Sequence, residues 1–341
     1  MVKTTGARGS SMTGRRFWLS LISCAVIFIV VSLAAPLIGS AHIDYRRALN
    51  GQSPDREILF YARVPRVLLA IVAGGALTLT GVLFQALLRD PLAEPFTLGI
   101  SSGSSLGAVI AISLGWTTVA GIPAVWFTAF AGAAATLMIV LGIAFEGRRI
   151  SSFTLLLAGV SINSISMATI LFLHNLATVS QSFAITRWLM GGLDAIEYRI
   201  IAGIAIVVLP VCAAIFVKAR DWNLLAVGEE WAAARGVAAS KLLVAGYIAG
   251  SLMTASVTAF TGPIGFIGLI VPHALRMALG ADHRVLIPCS FLLGAAFLTV
   301  CDTLARTVLA PTEVPVGVIT AMLGGPFFIW LLRSRRRSLW L

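Results

Sequence analysis

The chain has 341 residues, of which 58% are hydrophobic and 11% charged, and its formal net charge is +11. Soluble domains carry about 25% charged residues, so a water-soluble fold is excluded and lipid must be the solvent. The basic excess lies between apolar runs, where it sets topology, and forms no basic face for nucleic acid.

The tail, residues 1–16, holds Lys3, Arg8, Arg15 and Arg16 and precedes an apolar run over 17–38. That run exceeds the roughly 7–15 residues of a signal-peptide core, so it reads as an uncleaved first span. Further runs predict spans over 64–88, 96–115, 120–144, 153–173, 197–217, 242–261, 264–280, 285–305 and 314–332. The expected fold is all-α: a polytopic membrane protein of about ten transmembrane helices. It forms one transmembrane domain, 17–333, with a short C-terminal tail, 334–341. A span takes about 20 residues, which leaves no room for a large soluble domain. Two pseudo-related halves of five spans are expected. Gly159-Val160-Ser161-Ile162 resembles Gly317-Val318-Ile319-Thr320, and Leu68-Leu69 resembles Leu242-Leu243. With both termini cytoplasmic, seventeen of the 25 lysines and arginines fall inside and eight outside, as the positive-inside rule asks.

Along the chain, Gly99, Gly103 and Gly107 recur every fourth residue with serines between. Such a stripe suits close helix packing or a moving helix beside a pathway. Gly159, Asn163 and Ser166 share one face of the fifth span, and Gly317, Ala321 and Gly324 one face of the tenth. These faces suit an uncharged pore, and Asn163 equally suits an interhelical hydrogen bond. The longest charged interruption, 218–241, contains Gly228, then Glu229 and Glu230 at the positive end of a short helix, then Arg235 and Gly236 as its close. A two-turn helix is marginal alone, so it packs on the membrane surface or on a partner. No span carries a charge near its middle. Asp302 lies near one end, four residues before Arg306, where the two form an ion pair on one helical face. The drive for transport is therefore expected from a partner protein, because an ion-coupled carrier needs a buried titratable group. No nucleotide-cradling loop or catalytic Ser/His/Asp set is present. His273, Asp282 and His283 have no metal-ligand spacing. The cysteines Cys24, Cys212, Cys289 and Cys301 lie in apolar runs and read as packing residues.

Several segments together resemble the FecCD family of ABC importer permeases. They are Arg63-Val64-Pro65-Arg66, the run Asp90-Pro91-Leu92-Ala93-Glu94-Pro95 with Leu98 to Gly103 after it, and Trp188-Leu189-Met190-Gly191-Gly192-Leu193. Gly262 to His273, Asp302-Thr303-Leu304-Ala305-Arg306 and Glu313-Val314-Pro315-Val316-Gly317-Val318 complete the set. Asp90 stands where the family usually has Asn. The resemblance covers about residues 17–335. It implies a permease subunit of the bacterial cytoplasmic (inner) membrane, paired with a second permease subunit, two ATP-binding subunits below and a solute-binding protein above. ATP and Mg would be bound by the ATPase, with no cofactor or metal on this chain. Leu224, Ala226, Gly228, Glu229 and Arg235 would couple to the ATPase. Arg63, Arg66 and Arg306 would dock the binding protein. Gly159, Asn163, Ser166 and Gly317 would line the pathway. The resemblance implies uptake of a metal chelate by alternating access, with Fe(III)–siderophore taken first and cobalamin or haem as alternatives. An ion-coupled secondary carrier and a membrane-embedded enzyme are the competing classes.

Overall fold

The computed structural model describes residues 14–119, 121–146, 149–194 and 196–339. Residues 1–13 of the expected N-terminal tail, Arg148, and the side chains of the expected C-terminal tail lie outside the described residues.

Helix α1 (Gly14–Ala34) runs into a 3-10 turn, Ala35–Leu37, and buries Cys24 alone. An apolar helix left open on nearly all sides belongs against lipid. Two short helices follow, α2 (Tyr45–Leu49) and α3 (Asp55–Glu57). The Asp44 carboxylate caps α2 by accepting from the Arg46 and Arg47 amides. A π-helical turn, Ile58–Arg63, then leads into α4 (Val64–Leu88). Pro65 sits in the first turn of α4, where its missing N–H leaves nothing unpaired.

Helix α4 is the centre of the molecule, and every residue from Ala73 to Leu87 is buried. Around it pack α12 (Ala239–Thr261), α13 (Ile267–Leu279) and α14 (His283–Thr307). Lipid supplies no hydrophobic drive between helices, so small residues and close backbones hold them together. A Cβ on Gly81 would lie 2.0 Å from the Gly268 carbonyl of α13.

The second layer is built from α5 (Ile100–Ser113), α6 (Ala124–Ala144) and α7 (Ser152–Leu176). Small two-stranded ladders, β1 (Thr118–Val119) with β2 (Ile122–Pro123) and β3 (Phe145–Glu146) with β4 (Arg149–Ile150), bracket α6. The glycine stripe of α5 faces α6: a Cβ on Gly107 would meet the Thr128 carbonyl at 2.0 Å. This is close packing, the plainer of its two readings. Helix α8 (Val179–Leu189) opens with a capping box made by Thr178 and Gln181. Then come α9 (Tyr198–Val217), α10 (Ala219–Val227), α11 (Glu229–Ala234) and, last in the chain, α15 (Val316–Leu339).

Among the described residues, seven helices are long and apolar enough to cross a membrane. Three shorter apolar ones, Ile100–Ser113, Ile267–Leu279 and Val316–Leu331, take the third, eighth and tenth positions. All ten expected spans are therefore helices, and two of those that begin later than expected, α5 and α13, follow loops that end on a left-handed residue. The chain stays non-helical to Gly99 and to Phe266, both left-handed with φ of 79° and 70°. Pro91, Pro95 and Pro263 hinder a helix before these points. At about 1.5 Å per residue α5 and α13 rise only ~20 Å, short of a ~30 Å hydrocarbon core. Each is therefore too short to cross the core without the loop before it, and each stands at the third position of its set of five spans.

Candidate functional site

One end of the bundle carries the three expected docking arginines, and all are turned inward. Arg63 donates to the carbonyls of Pro36 (3.2 Å) and Ala41, and its guanidinium covers Gly39. Arg66 pairs with Asp302 at 2.8 Å and with Glu313 at 2.7 Å. Arg306 lies 3.1 Å from the other Asp302 oxygen and donates to the Ile38 carbonyl. Asp302 is fully buried, and Arg63 and Arg306 are each 5% exposed. A buried carboxylate requires charged partners, so Asp302 holds Arg66 and Arg306. The expected Asp302–Arg306 pair is present, enlarged by Arg66 and Glu313. Beside the cluster opens a vestibule of about 810 Å³, walled by Trp126, Phe183, Trp188 and Phe260, with Arg66 and Glu313 on its rim.

The opposite end carries the α10–α11 elbow. Gly228 joins the two helices, Arg235 ends α11, and Gly236 follows in the left-handed region at φ 81°, as the sequence predicts. The elbow is anchored through its polar groups. Trp222 donates to the Ile215 carbonyl at 2.9 Å. Asn223 donates to Asp282 at 2.9 Å and accepts from the His283 amide at 2.8 Å. Burial acts to raise the Asp282 carboxyl. The hydrogen bonds and charge of Arg284, with the Asn223 amide, outweigh it and hold the pKa at about 2. Of the expected coupling residues, Arg235 is exposed, Leu224 and Ala226 are half-buried, and Gly228 is buried. Glu229 points back into the body. It pairs with Arg89, the left-handed cap of α4, at 3.0 Å, and accepts from the Ser152 hydroxyl at 3.2 Å. Ser152 also approaches the Leu87 carbonyl at 3.1 Å. The open apolar groups here are Val227 and Trp231, 70% and 62% exposed. Neither was singled out from sequence, although both flank the Gly228 break.

Between the two ends runs a groove of about 660 Å³, lined by Gly317, Val318, Ala321 and Met322 of α15 and by the loop before α13. Met190 borders both the groove and the vestibule. Gly317 lies half-buried in the groove wall, where a Cβ would meet the Met190 carbonyl at 2.1 Å and its amide donates to the Gly191 carbonyl at 3.2 Å. Gly159 and Ser166 are buried, and Asn163 is half-buried. A Cβ on Gly159 would meet Leu98 Cα at 2.7 Å, so this residue lets the loop before α5 lie against α7.

Glu94 also lines the groove. Its carboxylate accepts from the Phe266 amide at 3.3 Å, and the Thr97 hydroxyl donates to its carbonyl at 2.7 Å. Sequence reasoning places Glu94 in an inner loop, two residues ahead of a span. The loop instead climbs back into the membrane. The flanking Pro91 and Pro95, together with Gly99, are the signal that shortens the span.

The profile of the FecCD transport family matches residues 24–334. A haemin transport system permease of Yersinia pestis is 36% identical over 317 residues, covering 92% of this chain and 95% of that one. A cobalamin import system permease of Halobacterium salinarum is 41% identical over 280 residues, covering 80% and 72%. Among solved structures, an inward-facing metal-chelate type ABC transporter superposes with a TM-score of 0.81 at 26% identity, covering 93% of this chain and 99% of that one.

Proposed function

Because the chain belongs to the FecCD transport family, we propose that it is the membrane permease of an ATP-driven importer that moves a bulky metal chelate by alternating access. It sits in the bacterial cytoplasmic membrane, with the elbow end inside and the arginine end outside, the orientation the basic residues favour. ATP and Mg are bound by two separate ATPase subunits, and this chain supplies the path and the lever. A second copy of the chain closes the path, and a solute-binding protein delivers the cargo at the arginine end. Haemin and cobalamin, given by the names of the relatives, are the first cargoes to test, followed by Fe(III)–siderophore.

The observation that carries this reading is the elbow. It is a short two-helix element with Val227 and Trp231 open, and Glu229 clamps it to α4 through Arg89. A push on this surface reaches the transmembrane body through that contact and biases one packing of the helices over another. Docking at the opposite end runs through Arg66 and Glu313, the accessible edge of the ion cluster. Acidic groups of a binding protein would share Arg63 and Arg306 with their internal partners. Such pairs set encounter rate and register more than affinity.

The test is co-purification with the ATPase subunits, followed by ATP hydrolysis in proteoliposomes with and without loaded binding protein. Stimulated hydrolysis with chelate uptake is the expected result. Failure to form any complex with an ATP-hydrolysing subunit would end the proposal, as would uptake driven by a proton gradient after ATP depletion.

A further inference from the structure

Among the described residues that line the α15 groove, Glu94 is the only ionisable side chain. A charge at membrane depth is costly and marks a functional contact by default. Its hydrogen bond from the Phe266 amide does not explain the charge, because a neutral Gln or Ser oxygen accepts the same bond. Among the described residues no lysine or arginine pairs with it. Its depth follows from its neighbours. Phe266 packs on Gly324, eight residues into α15, or ~12 Å along that helix. Gly99 packs on Gly159, seven residues into α7 from the opposite end, or ~10 Å.

A second observation points to a ligand at the same place. The two short helices α5 and α13 occupy corresponding positions in the two halves, and Glu94 bridges the loops that precede them. Paired interrupted helices of this kind mark the cargo contact in transporters. Glu94 brings to that junction a carboxyl group with no lysine or arginine partner among the described residues.

We propose that Glu94 selects the chemistry of the cargo: it accepts hydrogen bonds from ammonium, amide N–H or hydroxyl groups on the rim of the passing chelate and, in its ionised form, repels chelates whose rim carries carboxylates. The proposal rests on the reading of the α15 groove as the path. Cobalamin, rimmed with neutral amides, fits this contact, and haemin, with two free carboxylates, does not.

The test uses the complete complex in proteoliposomes, with Cys24, Cys212, Cys289 and Cys301 replaced by Ala and a reporter thiol introduced by Ala321→Cys in the groove. Its reaction rates are measured with a cationic trimethylammonium and an anionic sulfonate methanethiosulfonate. An ionised carboxylate lining the same groove predicts a cation-to-anion rate ratio about tenfold above that of a cysteine peptide in solution. Glu94→Gln should return the ratio to the peptide value, and Glu94→Asp should keep it. Val318→Cys serves as a second reporter if Ala321→Cys disturbs assembly. A ratio unmoved by Glu94→Gln would overturn the proposal. So would reporters unreactive in a complex that still hydrolyses ATP. Because ATP hydrolysis and assembly are read separately, loss of the importer itself is distinguished from loss of the contact.

Discussion

Asp302 is fully buried with two arginine partners, while Glu313, the fourth member of the cluster, is half exposed. Removing one partner of a buried charge set leaves the others uncompensated, which costs about 3–5 kcal/mol. Asp302→Ala should therefore lower the thermal unfolding midpoint of the purified protein sharply. Glu313→Gln, at a solvent-screened contact, should cost about 1 kcal/mol or less. Equal midpoints for the two variants would show that the cluster is not structural. The burial also bears on docking tests: reversing Arg63 or Arg306 to Glu would break the fold before it reported on a partner. Glu313 is the residue at which docking can be read cleanly. At the other end, the Asp282 carboxyl is held at about 2, below its unfolded value of ~3.9. Its contribution is thus complete above pH ~4 and is lost as the pH falls toward 2. Asp282→Asn should weaken protection of the elbow against hydrogen exchange at pH 7, and the difference from wild type should shrink toward pH 2–3. A difference unchanged down to pH 2 would remove Asp282 from the anchor.

Among the elements, α10–α11 is anchored by Trp222 and Asn223, and the Arg89–Glu229 pair is its ionic contact with α4. If Arg89 and Glu229 carry the push from the elbow into α4, Arg89→Glu or Glu229→Arg alone should leave ATPase binding in place and cut chelate uptake per ATP by about tenfold or more. The double exchange should restore most of it, because the pair is re-formed with its charges reversed. An exchange no better than the single variants would reduce the pair to an incidental surface contact. The α5–α6 contact offers a packing test. Gly107 meets the Thr128 carbonyl, whereas Gly142 meets nothing within 4 Å. Gly107→Leu should therefore destabilise by several kcal/mol through overpacking. Gly142→Ala should be neutral or slightly stabilising, by up to ~1 kcal/mol. Thermal unfolding in detergent separates the two outcomes.

For the whole molecule, the orientation is what joins the elbow to an ATPase and the arginine cluster to a delivery protein. A single thiol introduced by Trp231→Cys, in a chain otherwise free of cysteine, should react with a membrane-impermeant reagent only from the cytoplasmic side of sealed vesicles. Reaction from the outside would invert the assembly and remove the basis for coupling. Much of this architecture was legible in the residues. The apolar runs placed all ten helices, because a bilayer demands about 20 apolar residues for each crossing and nothing else in the chain competes with that pattern. Gly228, Arg235 and Gly236 marked the elbow and its end, because helix breaks and caps are local chemistry. The family motifs were readable for the same reason, as short strings of fixed order. Tertiary contacts decided the rest. The direction of a long side chain depends on what surrounds it, so Arg63, Arg66 and Arg306 turned inward to Asp302 and to backbone carbonyls, and Glu229 turned back to Arg89. Gly159 and Ser166 share a face that the 3.6-residue period predicts, but only tertiary packing, at Gly159 against the loop before α5, buried it. Glu94 looked like part of a water-exposed loop because hydropathy measures composition along the chain. Its depth was fixed by a neighbouring loop, half the sequence away, whose Phe266 amide could meet its carboxylate only once the two halves had packed together.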